Sequence, residues 1–167
     1  LLVKGAESTL TTAMKSVGET MAMGRCFEES IQKAMRSLEK GLDGLTPLMP
    51  LTKSDDEDSK QEALRAALSQ ATPQRILHIA EALRQGMSIA EVQSISKYDP
   101  WFLERILNIV DHEKHIMDHG LPKDADGWLA VKQIGFSDAR LAHLSGKTEV
   151  EVADLRRSLK VHPVYKR

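Results

Sequence analysis

Residues Gly86–Gly120, GMSIAEVQSISKYDPWFLERILNIVDHEKHIMDHG, read as two helices that meet at a tight corner. Ser88 can accept a backbone N–H bond as an N-cap, and Glu91 three residues on can reach back to complete a capping box, so a short helix starts at Ile89. Asp99-Pro100 repeats the start signal, because proline at the first helical position gives up an N–H that has no partner there. The second, longer helix runs to about Asp118 and stops at Gly120, which tolerates the left-handed conformation that ends a helix. Phe102, Leu103, Ile106, Val110 and Met117 form one stripe at helical spacing, with Leu107 at its edge. That stripe must lie on something, and the neighbouring segments carry matching ones.

Upstream, Thr72-Pro73 opens a helix in which Ile76, Ile79, Ala80 and Leu83 share a face and Gly86 closes it. Ser59–Gln70 reads as a further helix, preceded by the polar, acidic linker SDDED at 54–58. Earlier still, Phe27, Ile31, Met35, Leu38 and Leu42 line one face of a helix that Gly41 or Gly44 ends. Glu28 and Glu29 sit in its first turn, where the helix dipole favours negative charge. Downstream, a helix runs from Asp124 to Ile134 and stops at Gly135; Ser137 caps the next, Gly146 ends it, and Thr148 with Glu151 forms a second capping box. The expectation is an all-α, compact bundle of seven or eight short helices with tight turns, preceded over Leu1–Arg25 by a strand or an irregular extended tail.

Composition agrees. Aromatic residues make up only 4% of the 167, and Leu, Ala, Glu, Lys, Met and Gln are plentiful, which favours helix over sheet. One core accounts for a chain of this length. With 23 basic against 24 acidic residues, the chain as a whole has no field that would draw it to nucleic acid or to an anionic membrane. The single Cys26 excludes an internal disulfide framework and fits a reducing, cytoplasmic setting. No apolar run approaches the roughly 20 residues that span a bilayer.

Three constellations invite a functional reading. His112, His115 and His119 follow the long helix, and the last two, four apart, could reach one metal ion from adjacent turns. The zincin pattern is broken by Ile116, and all three histidines fall opposite the apolar stripe, so a solvated polar face is the simpler reading. Residues 136–160 have the order helix, glycine turn, helix of a helix-turn-helix. The residues that would meet the bases are Thr148, Glu149, Val150 and Glu151, whose charge is wrong for phosphate, while Arg156, Arg157 and Lys160 come too late to compensate. Cys26, beside Arg25 at the expected helix start, could have a lowered thiol pKa, but no histidine or other base lies nearby in sequence. Nothing has the form of a phosphate loop, a nucleophile elbow or a paired-carboxylate site.

Several segments in order carry a family resemblance: LTTAMKSVGETMAMGR at 10–25, GMSIAEV at 86–92 leading to DPWFLERI at 99–106, FSDARLA at 136–142, and HPVYKR at 162–167. Together they resemble the large subunit of glutamine-hydrolysing carbamoyl-phosphate synthase, and they cover nearly the whole chain. Leu1–Lys4 depart from the pattern, as does Cys26, where a capping threonine is expected.

The resemblance implies a specific place in a larger enzyme. In that family two similar ATP-grasp halves flank a helical oligomerisation or connection domain. Residues 1–25 would be the end of the first half, 26–161 the helical domain, and 162–167 the start of the link to the second half. The parent enzyme would make carbamoyl phosphate from bicarbonate, glutamine-derived ammonia and two ATP, with magnesium or manganese, for arginine and pyrimidine biosynthesis. Its nucleotide and metal ligands would lie outside this chain, so no catalytic, cofactor-binding or metal-binding role passes to any residue here. The implied partners are the two ATP-grasp halves, the small glutaminase subunit reached through the parent, and a second copy; nucleic acid and membrane are not among them. The stripe Phe27, Ile31, Met35, Leu38 and Leu42 is the candidate oligomer interface, with completion of the core as its competing role. A regulator that binds nucleic acid through the helix-turn-helix is the alternative function.

Overall fold

A computed structural model describes residues 9, 11–12 and 20–164. All regular structure among them is helical: α1 Phe27–Ser37, α2 Glu57–Ser69, α3 Arg75–Arg84, α4 Ile89–Ser96, α5 Pro100–His119, α6 Ala125–Gln133, α7 Asp138–Ser145 and α8 Glu149–Ser158. Most of the tail expected over Leu1–Arg25 lies outside the described residues. Two units divide the chain, one built on Leu45–Val110 and the other on Met21–Gly44 with 111–164.

In the first unit α2, α3 and α4 pack on one another. Leu64 and Leu68 of α2, Ile79, Ala80 and Leu83 of α3, and Val92 of α4 are buried. The corners hold as their residue types demand. Ser88 and Glu91 close a reciprocal capping box, with Ser88 N donating to Glu91 Oε2 at 3.0 Å and Glu91 N to Ser88 Oγ at 3.2 Å. Arg75 donates to the Ser96 carbonyl, and its guanidinium lies 5.4 Å from the centroid of the Tyr98 ring, so the start of α3 is tied to the end of α4.

Two boundaries differ from the expectation. Asp56 Oδ2 accepts from Ser59 N at 2.9 Å and from Ser59 Oγ at 2.7 Å, so the acidic run expected as linker supplies the cap and first turn of α2. A carboxylate there satisfies an orphan N–H and meets the positive end of the helix dipole. Thr72-Pro73 precedes α3 by a turn, with Arg75 N donating to Thr72 O at 3.1 Å.

The long helix α5 starts at Pro100, as the Asp-Pro signal requires, with Trp101 N donating to Asp99 Oδ1 at 2.8 Å. Its buried face is Leu103, Ile106, Ile109, Val110, Glu113 and Ile116. Phe102 and Met117, expected on that face, are 41% and 55% exposed. The face advances by threes and fours from Leu103, so it passes to either side of those two positions. Phe102 instead packs edge-to-face on exposed Trp101, ring centroids 5.0 Å apart.

The second unit holds α1 and α6–α8. Trp128 and Val131 of α6, Leu141 and Ala142 of α7, and Val152 of α8 are buried, and α7 packs on α8. Gly146 takes φ 65° at the end of α7, and Thr148 with Glu151 caps α8. Helix α1 ends at Ser37, short of both glycines proposed as its stop, and the left-handed position is taken by Glu39 at φ 52°.

Candidate functional site

Helix α1 docks in an unexpected way. Its buried residues are Glu28, Gln32 and Met35, so the side turned inward is largely polar. The reason is the partner it meets, the exposed end of another helix. Gln32 Nε2 donates to Ile134 O at 2.8 Å and Arg36 Nη1 to Gly135 O at 2.7 Å, satisfying carbonyls that the end of α6 leaves without intrahelical partners. The predicted interface stripe runs beside this face. Met35 belongs to both and is buried, whereas Phe27, Ile31, Leu38 and Leu42 are partly exposed.

Next to this docking point lies a cleft of about 560 Å³, lined by α1, by the turn between α6 and α7, and by Arg156 of α8 and the segment that follows it. Asp138 is its organising group. Its Oδ1 stands 2.7 Å from Lys132 Nζ and its Oδ2 2.9 Å from Arg156 Nη2. Burial works to raise the Asp138 pKa, but the hydrogen bonds from Arg156 and Lys132 outweigh it and hold the carboxyl below its ordinary value. Lys132 is pushed down, first by burial and further by the charges of Arg156 and Arg36, against the pull of Asp138. Arg36 is also pushed down by burial.

A second cluster sits in the interior of the same unit. Glu113, 1% exposed, faces Arg140 Nη2 at 2.7 Å and Nε at 2.8 Å, and Asp43 Oδ1 stands 3.9 Å from Arg140 Nη1. Neither cluster was singled out from sequence. Their members are far apart along the chain, and only the i,i+6 spacing of Lys132 and Asp138 across the Gly135 turn gave a local hint.

The expected constellations fall as follows. His115 and His119 are exposed and stack with ring centroids 4.5 Å apart, and His119 Nδ1 lies 3.2 Å from the His115 carbonyl. Among the described residues no three histidine, cysteine, aspartate or glutamate side chains come together as a metal site. Cys26 does stand at the N-cap of α1, but without a side-chain cap bond, and burial pushes its thiol pKa up. The lowered pKa considered from sequence is therefore wrong in sign: desolvation of the thiolate outweighs the backbone N–H of Glu29, and Glu28 and Glu29 add repulsion. The order helix, glycine turn, helix of α7 and α8 is present, yet most of its basic side chains are already engaged. Arg156 is held by Asp138, Arg157 Nη1 lies 3.1 Å from Asp154 Oδ1, and Glu151 is spent on the cap. Glu149, Val150 and Glu151 are exposed where a recognition helix would need cations.

Such an arrangement defines an all-helical domain whose polar clusters fasten helices to one another, and among the described residues no nucleophile, base and oxyanion donors converge. Residues 19–160 match the family model described as "Carbamoyl-phosphate synthetase large chain, oligomerisation domain". The chain is 56% identical over 163 residues to the carbamoyl phosphate synthase large chain of Rhizobium meliloti strain 1021, covering 98% of this chain and 14% of that one. It is 52% identical over 164 residues to the same protein of Brucella melitensis, again 98% against 14%, and 49% identical to that of Xanthomonas axonopodis pv. citri, 97% against 15%. The chain therefore belongs to the oligomerisation-domain family of carbamoyl-phosphate synthetase large chains, and it spans about one-seventh of the length of these relatives. The match includes α7 and α8, and nothing in these relationships supports a nucleic-acid-binding regulator.

A magnesium–nucleotide site does not fit the described residues. Asp138 and Glu113, two of the covered carboxylates, are each held by a guanidinium within 2.9 Å, and no three histidine, cysteine, aspartate or glutamate side chains converge on a metal position among the described residues.

Proposed function

We propose that this chain serves as the non-catalytic spacer between the two ATP-grasp halves of a carbamoyl-phosphate synthase large chain. The match of residues 19–160 to the oligomerisation-domain model carries this reading. Residues 1–25 are assigned to the end of the first half, 26–161 to the spacer and 162–167 to the start of the link to the second. The parent, with its glutaminase subunit, makes carbamoyl phosphate in the cytoplasm from bicarbonate, glutamine-derived ammonia and two ATP, using magnesium or manganese held outside this chain. The work of the spacer is mechanical. A block of capped helices fastened by ion pairs fixes the separation of two active halves, so that a labile intermediate can pass between them inside the protein.

Self-association belongs to the same reading. The stripe Phe27, Ile31, Met35, Leu38 and Leu42 offers an apolar strip at the edge of α1, and a self-complementary face of this kind joins copies by a two-fold axis.

The test is to replace 26–161 in the full large chain by a flexible glycine–serine linker of matching span. Bicarbonate-dependent ATP hydrolysis by the first half should persist while overall carbamoyl phosphate synthesis falls by at least about tenfold. Full synthesis with the flexible linker would refute the spacer role. ATP hydrolysis by this chain alone would refute its inertness.

A further inference from the structure

The second unit contains both the segment that leads into α1 and the one that leaves α8, and the two meet. Before α1, Arg25 N donates to Glu29 Oε2 at 2.7 Å and Lys33 Nζ to Met23 O at 3.2 Å, so the strap 20–25 is tied to that helix. After α8, Val161 is buried and its carbonyl accepts from Arg156 Nη1 at 2.7 Å. All of α1 to α8 lies between these points in sequence, yet Arg25 and His162-Pro163-Val164 line one cleft. The strap has the period of two expected of an extended segment, with Thr20 and Ala22 half-buried and Met21 and Met23 94% and 89% exposed. Val164 is 74% exposed, and the openings that Met21 and Val164 line share Lys33 and Arg36. A backbone fastened by hydrogen bonds while its flexible apolar side chains turn outward presents a surface suited to being covered.

From this geometry we infer that Met21, Met23 and Val164 form one docking face, covered by the flanking parts of the same large chain, whose stems the second unit holds side by side. The inference rests on the spacer reading and refines it. A unit entered and left at one place fixes the orientation of its neighbours at their roots, as an inserted domain does, instead of standing end to end between them. The occupant follows from covalent connection. This chain spans about one-seventh of its relatives, so in a large chain the polypeptide continues from both stems. Tethered there, the flanking parts stay at high effective concentration over the exposed methionines, and a second copy would have to compete with them.

Oxidation footprinting and photo-crosslinking of the full large chain, without its glutaminase subunit, test the docking face. Met21 and Met23 are oxidised with dilute hydrogen peroxide, and each rate is referred to that of the same residue in the urea-unfolded chain. Covered by their own polypeptide, both should react at least about fivefold more slowly in the folded chain, at every protein concentration. A benzophenone amino acid in place of the exposed Val164 should crosslink to the peptide containing 25–36, across the shared cleft. Methionine rates equal to those of the unfolded chain overturn the proposal. So does protection that disappears on dilution, the mark of a second copy, and so does a label at 164 that never reaches 25–36. The spacer reading fails separately: unprotected methionines beside lost synthesis in the linker variant sink the docking face alone, whereas protected methionines beside full synthesis sink the spacer alone.

Discussion

Arg140 and Glu113 form a buried ion pair, Nη2 to Oε1 at 2.7 Å, with side chains 6% and 1% exposed. The pair fastens α7 to the C-terminal half of α5 at a point where neither side chain can turn to water. Asp43 extends the cluster, with its Oδ2 2.8 Å from His143 Nδ1. Removing Glu113 alone leaves the buried Arg140 with only the distant Asp43, whereas replacing both Glu113 and Arg140 with apolar groups of similar volume leaves Asp43, which keeps His143 Nδ1 at 2.8 Å. Glu113→Ala should therefore lower stability by about 3–5 kcal/mol, and Glu113→Leu with Arg140→Met should stay within about 1–2 kcal/mol of the wild type. Urea unfolding of the two variants separates the outcomes; equal losses would mean that packing, not charge, governs the site.

Asp138 makes acid stability a readout of the cleft. Its folded pKa lies below its ordinary 3.8, so the folded state binds fewer protons than the unfolded state in that range. The stabilisation is fully present above the ordinary value and is lost as pH falls through the folded one. Asp138→Asn should cost about 3 kcal/mol at neutral pH, since it leaves Lys132 and Arg156 facing each other, and should flatten the fall in stability below about pH 4. Melting curves from pH 7 to pH 3 measure both effects, and an unaltered acid limb in the variant would show that Asp138 does not carry it.

Helix boundaries set by caps were legible because their signals are local. Ser88 with Glu91, Asp99-Pro100, Ser137 and Thr148 with Glu151 each mark a start within a few residues of chain, and each start is found there. The family was legible from short segments in order. What could not be read was the partner of each face. Helix α1 shows an apolar stripe by periodicity, yet its docking is directed by the loose carbonyls at 134 and 135, about 100 residues away. The charge clusters around Asp138 and Glu113 are invisible for the same reason, since their members meet only after the helices are placed. For Cys26 an ordinary thiol is the reading the sequence favours, and the lowered pKa weighed beside it fails because desolvation, which is not visible in sequence, outweighs the helix start.

Gly135 sits where α1 crosses the α6–α7 turn. Its φ is 97°, and a Cβ there would stand 2.9 Å from Glu29 Cα and 3.3 Å from Gln32 Cβ. Gly120 has a similar φ of 82° with nothing within 4 Å. Alanine at 120 pays only the backbone strain, about 1 kcal/mol, while alanine at 135 must also push α1 away, for about 1–3 kcal/mol more. Thermal melts of the two variants give the comparison; equal losses would show that α1 shifts without resistance.

Cys26 should be a slow nucleophile. Burial raises its thiol pKa, so the thiolate fraction at neutral pH is below that of a free cysteine, and the reactive species is the thiolate. Iodoacetamide should alkylate it at least about threefold more slowly than glutathione at pH 7.5, with the gap narrowing as pH rises. A faster rate than glutathione would restore the activated thiol.

Met35 and Leu38 lie on one predicted stripe but in different surroundings, and this separates core from interface. Met35 is 6% exposed within α1, so a glutamate there would bury a carboxylate with no cation assigned to it, costing about 3 kcal/mol or more. Leu38 caps the helix end at φ −70° and is partly exposed, so a glutamate there can turn its carboxylate to water. If the stripe joins two copies, Leu38→Glu keeps the circular dichroism and melting point of the wild type. It weakens self-association of the large chain by about 2 kcal/mol, roughly 30-fold, as seen by light scattering over a concentration series. A Leu38→Glu chain that unfolds like Met35→Glu would place the whole stripe in the core, and one that associates like the wild type would move the interface elsewhere.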